Sequence, residues 1–307
     1  MISKELVQSR DSRTILINNM SKEDQEYLRE NYQLTTEMLI YAKDLRERAR
    51  VEYDQPTQSW IMIYNAVAEN FSRPISPIAI IIRDKNVFVF TRTETQYIQN
   101  YFSKIDNTKL HIPLTHQTIW EMVFNALYRI TTDFFDQIEA LNAQRQELET
   151  EIRNSPNNDH IFELADLTKA MVYMLTSANS NTMAIESFKL YNRRLGILDL
   201  SQLEYERLDD VLIEARQAQQ MAQLTSDITN KVADTYNNLI GNTTNNVMRF
   251  LTIYSIVLTI PTIVTGFYGM NVDLPLADSP FSWVFVVLIM VGIISFMWWQ
   301  MKKHHFF

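Results

Sequence analysis

Cysteine is absent from the 307 residues, and glycine nearly so, at five: Gly196, Gly241, Gly266, Gly269 and Gly292. Without cysteine there is no disulfide, no thiolate nucleophile and no cysteine-based zinc site. Average glycine usage, roughly 7%, would give about twenty. Phosphate-cradling loops such as G-x-x-x-x-G-K-[ST] and G-x-G-x-x-G need clustered glycines so that backbone N–H groups can approach the ligand. Neither pattern occurs, and the G-x-S-x-G elbow is missing too. ATP hydrolysis and dinucleotide binding therefore have no candidate site, and no nucleophile–base constellation marks an enzyme. Positive charge is also in deficit. With 28 Lys and Arg against 36 Asp and Glu, the net charge is −8. That balance argues against nucleic acid as a partner, because its affinity rests on Lys and Arg contacts to phosphate.

Charge almost vanishes after Arg249. From Phe250 to Met301 there is no Lys or Arg, and only Asp273 and Asp278 are charged. Two apolar runs fill this stretch, Phe250 to Tyr268 and Phe281 to Trp299, each of 19 residues. As helices they rise ~28 Å, close to the ~30 Å hydrocarbon core of a bilayer. The alternative, two buried core helices of a soluble protein, is uncommon for paired runs of this length without charge. Trp298 and Trp299 fall where an interfacial aromatic belt would lie. Arg249 precedes the first run, Lys302 and Lys303 follow the second, and the connecting loop has no basic residue. By the positive-inside rule both ends are expected in the cytoplasm of a cell-membrane protein, with the loop outside. Met1 to Arg13 is polar and charged with no apolar core, so no cleavable leader is expected.

Residues 1–113 read as a mixed α/β cytoplasmic domain. Pro77 to Arg83 and Val87 to Thr91 are β-branched and aromatic runs around Asp84-Lys85-Asn86, a hairpin signal. Thr14 to Ile17 and Trp60 to Tyr64 read as further strands, and Ser21-x-x-Asp24 as the cap of a helix running through Tyr32. Residues 114–200 carry helical spacing over Thr115 to Ile152 and Asp159 to Leu190. From Ser201 to Ile260 there is one glycine and no proline. A single helix of ~90 Å could thus run through 201–249 and enter the membrane. Leu208, Val211, Ala215, Ala218 and Ala222 form a seam on it, compatible with other chains or with an intrachain bundle.

The first apolar run is two-faced. Alternating steps of three and four give Asn245, Met248, Thr252, Ser255, Thr259, Thr262 and Gly266, six of the seven polar or tiny. The opposite face gives Phe250, Ile253, Val257, Ile260, Val264 and Phe267, all apolar. Such hydroxyls can bond their own backbone or serve as small packing residues. A polar line along a whole span instead favours a pore-lining face. Two spans cannot enclose a pore, so conduction requires several chains.

Tyr268-Gly269-Met270-Asn271 closes the first run, a second run follows, and the chain ends in Lys302-Lys303-His304-His305. With the long proline-free helix before it and Pro261 to Asn271 leading into the motif, this C-terminal part resembles the CorA family of magnesium channels. The family's signature is Gly-Met-Asn between two C-terminal spans. The resemblance is close over the last ~110 residues and general in layout before them. It implies a homopentamer with an α/β/α cytoplasmic sandwich, long stalk helices and two transmembrane helices (250–268 and 281–301), joined by an external loop (269–280) and followed by a basic tail (302–307).

It further implies that Gly269, Met270 and Asn271 form the outer selectivity loop. Thr262 would form a polar ring in the pore, Asn245 a ring at its cytoplasmic mouth, and Met248 with Leu251 the hydrophobic gate. Asp210 matches a stalk position where the family binds regulatory Mg²⁺, with Asp209 beside it as the competing carboxylate. Its acidic partner from the α/β domain stays open, with Asp84 among the candidates. Thr259 departs from the family by standing where a bulky apolar gate residue can occur.

Mg²⁺ holds its waters tightly, and conduction needs weak, multiple sites. Neutral Asn271 carboxamides and backbone carbonyls can accept hydrogen bonds from the ion's water, and Gly269 lets the chain turn to present them. Asp273 and Asp278 either concentrate cations at the mouth or are ordinary loop acids. The Lys302-Lys303 tail either anchors at the anionic leaflet or adds to a positive ring around the stalk. His304-His305 and the pair His111 and His116 read as solvated and structural, respectively. At −100 mV an entering divalent cation gains ~4.6 kcal/mol, so no resident cofactor is needed and Mg²⁺ serves as cargo and regulator. The rivals are a Zn²⁺, Co²⁺ or Ni²⁺ transporter of the same architecture and a membrane-anchored sensor without flux. Met270 favours Mg²⁺ over Zn²⁺ within the resemblance, and the polar stripe disfavours a mere anchor.

Overall fold

The computed structural model describes residues 2–9, 12–69, 74–103, 118–154, 159–270 and 281–303. They form two compact units, Met1–Ala233 and Asp234–Phe307. The strands are β1 (Ile2–Ser9), β2 (Ser12–Asn18), β3 (Arg50–Asp54), β4 (Ser59–Val67), β5 (Ile75–Arg83) and β6 (Asn86–Thr91). The α-helices are α1 (Lys22–Tyr32), α2 (Thr36–Lys43), α3 (Gln99–Ser103), α4 (Ile119–Asn154), α5 (Asp159–Leu195), α6 (Gln202–Tyr268) and α7 (Ser282–Lys303), with a 3-10 turn at Thr93–Ile98.

The first unit is built on one sheet in the order β1-β2-β6-β5-β4-β3. All neighbours are antiparallel except β2 and β6, which run parallel, Thr14 opposite Val87 and Leu16 opposite Val89. The apolar runs of β4, β5 and β6 hold the middle, buried on both faces. Such strands lack polar alternation because neither face meets water. On one face Ile15, Ile17, Ile61, Ile81 and Phe88 pack against Leu28 of α1 and Met38 and Leu39 of α2. On the other, Leu16, Trp60, Met62, Ile80 and Val89 pack against Phe124 of α4, Phe188 of α5 and Leu208 and Val211 of α6. The result is the α/β/α sandwich that the resemblance implied.

Local chemistry sets the element ends. Ser21 and Asp24 form the reciprocal cap of α1, and Gln33 ends the helix in the left-handed region. Asp84, at φ 54°, opens the two-residue turn between β5 and β6. Thr118 and Glu121 exchange backbone–side-chain bonds at the start of α4, as Ser201 and Glu204 do at the start of α6. The Thr118 hydroxyl also donates to Glu204 at 2.6 Å, tying the two starts together. Gly196, at φ 58°, stops α5, and buried Asn192 holds the N–H and C=O of Leu198 beyond it. Beyond β3's last partner Ile63, Asn181 of α5 takes both the N–H and C=O of Asn65.

Five elements go beyond the sequence reading: β1 and β3, the two edge strands, the eight-residue α2, the 3-10 turn Thr93–Ile98 and the short α3. Helix α4 begins at Ile119; Thr115 and the pair His111 and His116 lie outside the described residues.

The second unit holds the end of α6 and α7. Both helices are long and apolar enough to cross a membrane, and 6% and 0% of their most apolar stretches are buried in the protein. A soluble core helix would be mostly covered, so this exposure favours lipid over a protein core. From Phe250 onward the half-covered positions are Ile253, Ile256, Ile260, Pro261, Val264 and Tyr268 on α6, and Val284, Val286, Ile289, Met290, Ile294, Met297 and Met301 on α7. At the end of α7 the ammonium of Lys303 sits 5.4 Å from the centre of the Trp299 ring.

Candidate ion path and cation-binding carboxylates

Helix α6 runs without a break for 67 residues, ~100 Å at 1.5 Å per residue. Its registry therefore fixes which residues share a face. Asn245, Met248, Thr252, Ser255, Thr259, Thr262 and Gly266 share one exposed line, away from the positions half-covered in the unit. Leu251 lies on its flank, 100° from Thr252 by helical geometry and exposed.

Every hydroxyl on this line donates to the carbonyl one turn back. Thr252 bonds Met248 at 2.8 Å, Ser255 bonds Leu251 at 2.8 Å, Thr259 bonds Ser255 at 2.6 Å and Thr262 bonds Leu258 at 2.9 Å. Back-bonding of this kind was one of the two readings of the stripe, and it does not exclude the other. With the proton spent on the backbone, each oxygen turns only lone pairs outward. The line is thus an acceptor surface, suited to the outward hydrogens of a hydrated cation.

Pro261 falls off the line, 100° from Thr262. It removes one backbone donor inside the helix, and Thr265 bonds the Pro261 carbonyl at 2.8 Å. The motif begins where α6 ends. Gly269 N–H donates to Thr265 O at 2.9 Å, and a Cβ at Gly269 would lie 3.0 Å from that same oxygen. Close approach, rather than a left-handed backbone, is what asks for glycine there. Met270 is exposed. Asn271, Asp273 and Asp278, like His304 and His305, lie outside the described residues.

The two acids of the first unit face different neighbours. Asp209 accepts from the Lys189 ammonium of α5 at 2.6 Å. Asp210 stands 3.6 Å from the Arg207 guanidinium, three residues back on α6. One turn beyond Asp210, Glu214 accepts from the Tyr128 hydroxyl of α4 at 3.4 Å. The Tyr128 pKa is raised, first by burial and then by the charges of Glu214 and Asp210. Glu214, Tyr128 and Lys189 escaped the sequence reading; the Asp-x-x-x-Glu spacing was the one visible signal for Glu214. Asp84 sits at the hairpin tip, 3.8 Å from the Arg83 guanidinium. Among the described residues, no group of three or more His, Asp or Glu is placed to hold a metal ion.

Comparison with known proteins fits this geometry. The chain is 24% identical over 292 residues to the cobalt/magnesium transport protein CorA of Methanocaldococcus jannaschii, covering 92% of this chain and 88% of that protein. It is 23% identical over 175 residues to the protein of the same name from Thermotoga maritima, covering 57% of this chain and 48% of the other. Among solved structures, the complete CorA magnesium transporter of M. jannaschii superposes with a TM-score of 0.80 at 21% identity, covering 97% of this chain and 92% of that one. The full-length CmaX protein gives 0.71 at 17% identity, covering 97% and 90%. The structural likenesses establish the shared fold. The model of the family described as CorA-like Mg2+ transporter protein matches residues 15–303, and with nearly the whole chain inside it, the protein belongs to that family.

Proposed function

We propose that the chain assembles as a homopentameric divalent cation channel whose main cargo is Mg²⁺, taken up down the membrane potential and shut by Mg²⁺ inside the cell. One observation carries the reading: a continuous, exposed acceptor line on α6. Lipid is a poor solvent for such a line, whereas a water-filled axis shared by several copies suits it. In that assembly Thr252, Ser255, Thr259, Thr262 and Gly266 line the path, with Asn245 at the cytoplasmic mouth and Met248 and Leu251 narrowing it. Gly269, Met270 and Asn271 form the outer loop. Neutral acceptors hold a hydrated Mg²⁺ weakly enough to let it leave, which a carboxylate ring would not. Asp273 and Asp278 raise the cation concentration at the mouth.

Both chain ends face the cytoplasm, consistent with Arg249 before the first span and Lys302 and Lys303 after the second. Asp210 is the regulatory carboxylate, since Asp209 already carries an ammonium. A cation at Asp210 draws its other ligands from water and a neighbouring copy. Filling that site holds the stalks together, and emptying it leaves carboxylates that repel.

The test is flux of Mg²⁺, Co²⁺, Ni²⁺ and Zn²⁺ into liposomes, wild type against Asn271→Ala. The expected result is Mg²⁺ flux in the wild type, at least about tenfold lower in the variant (~1.4 kcal/mol per factor of ten). Equal flux in the two removes the selectivity-loop assignment. Zn²⁺ flux exceeding that of Mg²⁺ transfers the cargo to the zinc reading.

A further inference from the structure

A cluster of polar groups outside the ion path joins α4 to the far end of the sheet. Asp133 of α4 meets two tyrosines: Tyr101 of α3, whose hydroxyl lies 3.0 Å from each carboxylate oxygen, and Tyr97 of the 3-10 turn, 3.2 Å from Oδ2. The Tyr97 hydroxyl is also 2.9 Å from the carbonyl of Val67 at the end of β4.

Proton counting makes this arrangement informative. Three contacts need a proton: Tyr101 to Asp133, Tyr97 to Val67 and Tyr97 to Asp133. The two hydroxyls bring two, because a phenol donates only once. With Asp133 ionised, Tyr97 must choose between the carbonyl and the carboxylate. With Asp133 protonated, all three are satisfied: its Oδ2–H donates to Tyr97, Tyr97 to Val67 O, and Tyr101 to Oδ1. We propose that Asp133, Tyr97 and Tyr101 form a proton-binding site in the cytoplasmic domain, which on filling clamps the 93–103 segment and the end of β4 onto α4.

The surroundings bring filling of the site into the mildly acidic range. Burial pushes the Asp133 carboxyl up to about 6, against hydrogen bonds from Tyr101 and Tyr97 that lower it; Asp136 raises it and Arg129 lowers it. Both tyrosines are held neutral, chiefly by burial and by the Asp133 charge, with Glu69 adding at Tyr97. The Arg129 guanidinium lies 5.7 Å from the centre of the Tyr101 ring. A carboxyl raised above its unfolded value contributes most to stability at low pH, and that contribution fades as pH rises through the folded value.

The test is pH-difference infrared spectroscopy of the full chain in lipid, following the C=O stretch of protonated carboxyl groups between pH 4.5 and 8. A band titrating near pH 6 is expected, absent in Asp133→Asn and shifted to higher pH in Tyr101→Phe, which loses a donor to the charged form. Thermal unfolding gives the matching readout. The wild-type midpoint falls from pH 5 to pH 7 more steeply than that of Asp133→Asn. Identical difference spectra for wild type and Asp133→Asn overturn the proposal. If that variant does not fold, a band that Tyr101→Phe leaves unmoved overturns it.

Discussion

Asp209 and Asp210 are adjacent in the chain and about equally exposed, at 51% and 50%, yet their surroundings differ. Lys189 neutralises the first at hydrogen-bond distance, whereas Arg207 stands 3.6 Å from the second and Glu214 extends its negative field by one turn. Asp210→Ala is therefore expected to raise the internal Mg²⁺ that half-closes the channel by about tenfold, the loss of one charged ligand worth ~1.5–3 kcal/mol. Asp209→Ala is expected to change it less than about threefold, since an exposed ion pair is worth at most ~1 kcal/mol. Flux measured against internal Mg²⁺ decides, and unchanged inhibition in the double variant contradicts the regulatory assignment. At this scale the sequence showed residue types but not partners. Asn181 and Asn192 look like ordinary helix-surface amides, and only the fold brings Asn65 and Leu198 to them.

Elements were legible where local chemistry decides them. The Ser21-x-x-Asp24 cap, the turn at Asp84-Lys85 and the two long helices after residue 118 lie where periodicity and capping placed them. Edge strands were not. β1 (ISKELVQS) and β3 (RVEYD) carry the charge that discourages edge-to-edge pairing, and this weakens the apolar pattern by which strands are read. The stripe of α6 was legible because a helix's period converts spacing directly into a face. What the sequence could not supply was the direction of the hydroxyl protons. Because they point into the helix, Thr262→Val removes an outward acceptor with little cost to folding. We expect it to lower Mg²⁺ flux by about tenfold, as for a lost charge-assisted hydrogen bond of ~1.5 kcal/mol. Thr265→Val, off the stripe, is expected to leave flux unchanged. Tracer uptake in the two variants checks the assignment, and equal loss in both refutes the stripe as the path.

At the scale of the molecule, the chain places polar acceptors along one face of its first span and leaves that face uncovered. The described residues include two helices long and apolar enough to cross a membrane; the proposed path therefore needs neighbouring copies, and a symmetric ring is the economical way to bring identical faces to one axis. The scarcity of glycine, which removed phosphate-binding enzymes at the outset, suits a chain built on 36-, 37- and 67-residue helices. On the proposed reading the driving force is the membrane potential, ~2.3 kcal/mol per charge per 100 mV. The most direct measurement is Mg²⁺ uptake into liposomes containing the full chain while a potassium diffusion potential is stepped. The account predicts uptake that accelerates as the interior becomes more negative and stops once millimolar Mg²⁺ is placed inside. Uptake indifferent to the potential, or no uptake at any potential, would contradict it.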